Sequence, residues 1–473
     1  MDTGRLSRRV VVRAVAAAVV LALLAPAVGT ALSGGTAQPG ELSSGTVERT
    51  PNGSTVVSIQ GFHFQGTGSQ KKPARLVAAG PRAGTQWLFD GQTVDARWFY
   101  DVDPLPNGNL LVSSTNPDGT VVFELDRETR EPVWTERLDM TDTHDVDRLN
   151  DTHLVVANMR NYDEESGASN DRVVVYDRAE GEVEREWLFR NNYPNATDGG
   201  FNEDWTHVND VDVVDDDRVL LSPRNFDQAV VLNLTTGAVE QRLGSDDDHD
   251  VLHEQHNPDY LISDVGNPTI LVADSENDRV VEYAKTDGEW RRTWVVGEGQ
   301  LNWPRDADRL PNGNTLIVDS LNHRVVEVTP TGEVVWEYYA TWGPYDAERI
   351  GTGDGSPQTA PTIRDMGAQG EYALTGSAGL LDGTRSPFAD WVARVTAGTA
   401  LAEPGATFAA RWAHVTPWIR PVWMTGWDFA SAVGAALVGL GWGLGEVVYG
   451  RRRLAAAARA FVGRGRTLVG GGS

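Results

Sequence analysis

A short phrase returns five times along this chain: a polar or aromatic residue, Asp/Asn-x-Asp, an apolar strand, an Asn, a second strand and usually a third that carries Trp. It begins at Tyr100-Asp101-Val102-Asp103, His144-Asp145-Val146-Asp147, Asn209-Asp210-Val211-Asp212, His256-Asn257-Pro258-Asp259 and Arg305-Asp306-Ala307-Asp308. Successive starts lie 44, 65, 47 and 49 residues apart, and the long interval holds an insertion around Arg190 to Asp204. That length suits a four-stranded blade, which cannot bury its apolar faces alone and must stack on neighbours. Thr46 to Phe89 reads as a sixth, more divergent blade. The expected fold is all-β, a six-bladed β-propeller over residues 46–340.

Turn chemistry agrees with this reading. Pro311-Asn312-Gly313-Asn314 leads into Thr315-Leu316-Ile317-Val318, and Thr331-Gly332 separates two further apolar runs. Asn-Gly and Thr-Gly supply the positive-φ residues of tight hairpins, and alternating runs supply half-buried strands. Trp134, Trp187, Trp294 and Trp336 are read as packing between blades.

Asp and Glu number 67 against 41 Lys and Arg, a formal net charge of -26. That balance excludes nucleic acid as a partner, because most of the surface repels phosphate. With 40% apolar residues and 16 Trp the chain still has the means to bury a core. The acidic excess is read as a solvated coat suited to concentrated salt. Without cysteine there are no disulfides and no thiolate metal sites.

Both ends of the chain point to a membrane. Arg5, Arg8 and Arg9 precede the apolar stretch Val10 to Leu32, so residues 1–32 read as a signal peptide or signal anchor. Ser7-Arg8-Arg9 followed by Val10-Val11-Val12 resembles a twin-arginine export signal. Residues 427–449 are long enough to cross a bilayer as a helix, and Arg451, Arg452 and Arg453 follow directly. The positive-inside bias then puts the basic tail, 450–473, in the cytoplasm and the propeller outside. Residues 341–426, rich in Gly, Pro and Thr and then weakly helical, read as a juxtamembrane stalk.

Comparing the repeats with one another separates scaffold from site. A residue type that recurs at one position in most blades serves the fold, as Asp103, Asp147, Asp212, Asp259 and Asp308 do, and as Asn116, Asn161, Asn225, Asn277 and Asn322 do. The place just before Asp/Asn-x-Asp instead varies in chemistry: Tyr100, His144, Asn209, His256 and Arg305. These side chains are expected to converge at one mouth of the central channel, joined by His207 through strand alternation and by Arg160 and Arg224 at matching ends of second strands. Arg279 opens a third strand nearby. Several His and Arg in so acidic a protein make a local cationic pocket suited to an oxyanion. No cofactor is implied, and no metal at these histidines, which come from unlike blades without a His-x-His or His-x3-His pair.

Trp205-Thr206-His207-Val208-Asn209 with Leu221-Ser222-Pro223-Arg224, and His253-Glu254-Gln255-His256-Asn257 with Asp274-Ser275-Glu276-Asn277-Asp278-Arg279-Val280-Val281-Glu282-Tyr283, resemble the motifs of the arylsulfate sulfotransferases. The resemblance covers about Val94 to Tyr339. It implies a six-bladed propeller in which a histidine takes a sulfuryl group from an aryl sulfate and passes it to a phenol. It carries onto His207, His256 and Arg279 as catalytic residues; the comparison of repeats adds His144, Arg224, Arg305, Asn209, Tyr100 and Arg160 as expected substrate-binding residues. One departure stands out: where the family expects a histidine from a late blade, this chain has Arg305, and His323 lies elsewhere on that blade. No phosphate-binding glycine motif opens a helix, so no nucleotide sulfate donor is implied. A non-catalytic propeller that holds an anionic ligand, a glycan or a protein partner at the cell surface is the alternative reading.

Overall fold

The computed structural model describes residues 8–32, 42–62, 72–351, 360–376, 387–421 and 423–469. Arg5, the start of the expected ectodomain at 33–41, and parts of the expected stalk and tail at 352–359, 377–386, 422 and 470–473 lie outside them. The described residues form two compact units, one holding the terminal helices and one holding the ring.

The ring unit is a six-bladed propeller built from six sheets of four or five antiparallel-paired strands, one of which also carries a parallel edge strand. The second to sixth blades each run in chain order, beginning at Trp98–Pro104, Val146–Arg148, Val208–Val213, His256–Ile262 and Pro304–Arg309. The first blade is closed from the far end of the ring. Its Thr55–Ile59, Arg75–Ala79 and Thr85–Phe89 strands take their innermost partner from Pro344–Arg349. Likewise Ser43–Val47 adds an outer strand to the sixth blade. The expected boundary at Ala340 is therefore corrected: the ring needs Pro344–Arg349, and Gly370–Tyr372 pairs parallel on the outside of the fifth blade. Residues 341–376 are not simply a stalk. The long interval after His144 is also shared differently, since a small hairpin, Tyr162–Asp163 with Ala168–Ser169, accounts for part of it.

The core is six apolar clusters, each shared by two adjacent blades. Val57, Ala347, Leu316 and Trp336, for instance, join the first blade to the sixth. Full burial of one such aliphatic side chain is worth about 1.5–3 kcal/mol, so each seam contributes through many small terms. Tryptophans act at these seams as expected. Trp187 Nε1 donates to the Gly237 carbonyl of the next blade and Trp294 Nε1 to that of Pro330. The Arg178 guanidinium lies 3.4 Å above the Trp134 ring.

Polar clasps cross the same seams nearer the axis. Backbone N–H groups of Val102, Val211, Val213, Arg309 and Ala347 donate to Asp346, Asp145, Asp147, Asp259 and Asp306 of the preceding blade. Ser58, Ser113, Ser222 and Ser275 on second strands donate to the carbonyls of Tyr100, His144, Gln255 and Pro304 in the next blade. The repeated Asn tethers its turn to the loop ahead of its own blade in Asn116, Asn225, Asn277 and Asn322.

In the other unit, helices Arg8–Leu32 and Gly426–Val469 run antiparallel. Arg13 pairs with Glu446 near one end and Thr30 Oγ1 donates to Asp428 Oδ2 near the other, at 3.0 Å. Their apolar windows, Val10–Leu32 and Gly426–Arg451, have mean hydropathies of 2.4 and 1.5, enough in length and composition to cross a membrane.

Ser58 sits at the joint where the ring closes, with Oγ donating to the Tyr100 carbonyl and accepting from the Asp346 N–H at 3.1 Å. Ser58→Ala strands two buried backbone groups and is expected to cost about 1–3 kcal/mol, read from the denaturation midpoint. Ser54→Ala, at an exposed bond to Gln86, is the control expected to change little.

Candidate active site

In the first, second and sixth blades the inner strand meets its neighbour with a break in register at the varying position. Phe99 pairs with Ser114 and Asp101 with Ser113, which leaves Tyr100 as an extra residue. The same arithmetic isolates Arg305 between Pro304 and Asp306, and Tyr345 between Pro344 and Asp346. Register also shifts between Val208 and Val211 and between His256 and Asp259. A bulge turns the extra side chain out of the sheet and toward the axis, a use common beside active sites.

Around the mouth these side chains touch in sequence. Tyr100 stacks on His144 with centroids 3.9 Å apart, and His144 meets His207 edge-on at 5.2 Å. Tyr345 is the hub. Its hydroxyl is 2.9 Å from His144 Nδ1, its ring lies 5.8 Å from that of His256, and the Arg305 guanidinium sits 4.6 Å over it. Sequence comparison missed this residue although its signal was present: Tyr345-Asp346-Ala347-Glu348 repeats Tyr100-Asp101-Val102-Asp103, 40 residues after Arg305.

The tautomers follow from the hydrogen bonds. Ser275 Oγ donates to the Pro304 carbonyl at 2.7 Å, so toward His256 Nδ1, 2.8 Å away, it accepts. His256 thus carries its proton on Nδ1 and leaves Nε2 as a lone-pair nitrogen. His207 Nδ1 likewise donates to Asp204 Oδ1 at 2.8 Å. Its backbone, at φ +41, lies just before the strand that starts at Val208. Strand alternation is therefore not what aims His207 at the ring; the left-handed turn is. Burial, with the charges of Arg224 and Arg160 added, pushes His207 down to about 3 despite Asp204. Burial, seconded by Arg305 for His256 and by His207 for His144, holds both rings well below the usual histidine range. All three are neutral bases at pH 7.

The arginines divide into two kinds. Arg160 pairs with Asp142 and Asp204, and Arg224 with Glu254 and Asp204. Arg305, only 4% exposed, has no carboxylate within ion-pair distance among the described residues, and its Nε finds no acceptor. It bonds Gln60 Oε1 at 2.5 Å and stacks over Trp303 at 4.4 Å. Burial pushes it down to about 10, so it remains a cation at neutral pH. Trp418 closes over this corner, 5.8 Å from Trp303 and 4.3 Å from Phe62. Its segment is anchored by Lys72 Nζ on the Pro417 carbonyl at 2.5 Å and by His414 on Asp278 and Glu276. Residues 410–418 belong to the ring unit, a second correction to the expected stalk.

Asn209 donates from Nδ2 to the Gln255 carbonyl and so braces the next blade. Arg279 stands apart from the ring of side chains. Its bonds go to Asp274 Oδ2, Glu298 and the Asp250 carbonyl. In the sixth blade Arg324 takes Asp319 in the same way, with Asn322 beside it as Asn277 is beside Asp274. A residue that recurs with the same partner serves the fold, and Arg279 shares that scaffold arrangement with Arg324. His323 is a buried turn residue whose Nδ1 accepts from the Gly343 N–H.

Residues 86–294 match the family model described as Arylsulfotransferase (ASST). This bears out the resemblance read from the motifs. No curated protein matches the chain. Among solved structures, a protein of unknown function from Bacteroides caccae is 12% identical with a TM-score of 0.42, over 63% of this chain and 98% of its own. Virginiamycin B lyase from Staphylococcus aureus is 8% identical with a TM-score of 0.37, over 61% and 85%. Likenesses this distant carry no argument about the site.

The neutral state of the rings is directly measurable. The stability they contribute is complete above the ordinary histidine value of 6.5 and fades as pH falls toward the depressed one, about 3 for His207. Selective 15N-histidine NMR at pH 5 is expected to show His207 and His256 as neutral Nδ1–H tautomers, with Arg160→Gln moving His207 upward. An imidazolium spectrum for both at that pH contradicts the assignment.

Proposed function

We propose that the protein transfers a sulfuryl group from an aryl sulfate to a phenolic acceptor, with His256 as the nucleophile. The observation that carries this reading is Arg305, a buried guanidinium without a carboxylate partner among the described residues, facing neutral imidazoles across Tyr345. A cation kept free of counterions in a desolvated site favours an anion there and strengthens its hold on developing negative charge.

In this scheme His256 Nε2 attacks sulfur, the N–S bond forms, and the S–O bond to the aryl group breaks as phenolate leaves with the electron pair. Ser275 keeps the imidazole oriented through Nδ1. Arg305 and the nearby Arg224 offset charge on the sulfuryl oxygens and the departing phenolate. In the second half the acceptor phenol loses its proton, attacks sulfur and frees His256; overall, the proton it loses is the one the first phenolate gains. Covalent capture divides one hard displacement into two easier ones. Trp303, Trp418 and Phe62 supply flat apolar surface beside Arg305 for an aryl ring.

Full-length protein given 4-nitrophenyl sulfate and a phenol is expected to release colour in proportion to acceptor. His256→Ala should abolish release. Arg305→Gln should lower turnover by about 10²–10³, the usual cost of one lost oxyanion donor. Arg279→Gln should lose stability first. Wild-type rates from His256→Ala would refute the assignment.

The same reading places the ring outside the cell on an antiparallel pair of anchoring helices, with the basic tail in the cytoplasm. The Arg13–Glu446 pair supports retention of the first helix. External protease on intact cells should remove the ring and spare a tag after Ser473; loss of that tag refutes the orientation.

A further inference from the structure

Apart from the mouth, the channel narrows to a cavity of about 50 Å³ whose lining has ten carboxylates and no lysine, arginine or histidine. Every blade contributes, because the two Asp of the repeated phrase flank the axis. We propose that this cavity is a binding site for one calcium-sized divalent cation, held by Asp145, Asp210 and Asp212 with support from Asp101 and Asp259.

Two independent observations carry this. The first is spacing: Asp145, Asp210 and Asp212 each offer an oxygen, and the three atoms lie within 4.8 Å of one another. Calcium binds oxygens at about 2.3–2.6 Å, so opposite ligands in one sphere stand about 4.6–5.2 Å apart, and adjacent ones closer. Three oxygens so placed fit one ion. The second is a set of orphaned oxygens. Asp101, Asp210 and Asp259 are each more than nine-tenths buried, and each keeps one carboxylate oxygen without a hydrogen-bond donor. Asp145 spends one oxygen on the Val211 N–H and has the other to offer. Buried polar atoms ordinarily find partners, and here three without one belong to residues that line the same small cavity.

The donor set selects the class of ion. All ligands are hard oxygens without imidazole or thiolate, which suits calcium, magnesium or manganese rather than zinc or copper. Irregular placement by strands from different blades suits the flexible shell of calcium better than the strict octahedron of magnesium. Bound there, the ion links adjacent blades through their innermost strands. This role is independent of sulfuryl transfer.

The test uses full-length protein in detergent, stripped with a chelator and dialysed. Equilibrium dialysis with calcium is expected to show one tightly held ion per chain above diffuse surface binding, and the melting temperature to rise when calcium is restored. Asp210→Asn preserves shape and breaks no clasp to the backbone; it should lose the tight ion and the rise while melting like the stripped wild type. Asp212→Asn should do the same. Glu184→Gln, on the exposed outer strand of the third blade, should leave both intact. If Asp210→Asn does not fold, the wild-type pair with and without calcium decides alone. Equal melting in both, or calcium uptake no greater than that of Asp210→Asn, overturns the proposal.

Discussion

A propeller's innermost strands run out of neighbours. Each pairs on one side only, and near the axis its other edge still carries N–H and C=O groups that need partners. This chain meets the demand with side chains from the adjoining blade: an aspartate for the N–H groups and a serine for the carbonyls. Both residue types recur because six seams pose the same problem. The repeated Asp is therefore less a turn former than a clasp, and the ring cannot close without Pro344–Arg349 to bring Asp346 to Val102 and to receive Asp306.

From that constraint follows the placement of chemistry. A clasp that must reach the next blade fixes the register on the aspartate side of each bulge, and the residue before it becomes the extra one. In the first, second and sixth blades that residue is released from pairing, so its chemistry is free to vary. Six blades thus present two Tyr, two His, an Asn and an Arg at one mouth on a scaffold that hardly changes. The cost falls on the clasps themselves. Burial first, with neighbouring carboxylates added, pushes Asp145 and Asp346 up to about 7, and burial does the same to Asp259.

Much of this was legible in the sequence, and the failures have particular causes. The period, the varying position and the motifs around His207 and His256 are local, and a repeat compared with itself reveals them. Tyr345 escaped although its phrase repeats, because the blade it completes begins some 290 residues earlier, at Thr55, and no further strand of that blade follows it in the chain. The likeness of Arg279 to Arg324, each on the aspartate of its own turn, is visible only once the partners are known. The contacts of Trp418 with Phe62 and of Lys72 with Pro417 join segments far apart in the chain, where nothing local foretells them.

The channel consequently carries two electrostatic regimes in one protein of net charge -26. At the mouth, Arg160 and Arg224 are bound to carboxylates while Arg305 is insulated by aromatic faces and an amide. Stacking holds a guanidinium without neutralising it, whereas an ion pair would cancel the field an anion needs. A lysine at that position, compact and strongly hydrated, would find neither the stacking nor enough acceptors, and burial would strip its proton more readily. Within the acidic cavity the reverse holds, since crowded carboxylates repel one another and raise the cost of ionisation. An anion is drawn to the first region and repelled from the second. In the proposed reaction a sulfuryl group would therefore have one end of the channel open to it, the end where the imidazoles present their lone pairs.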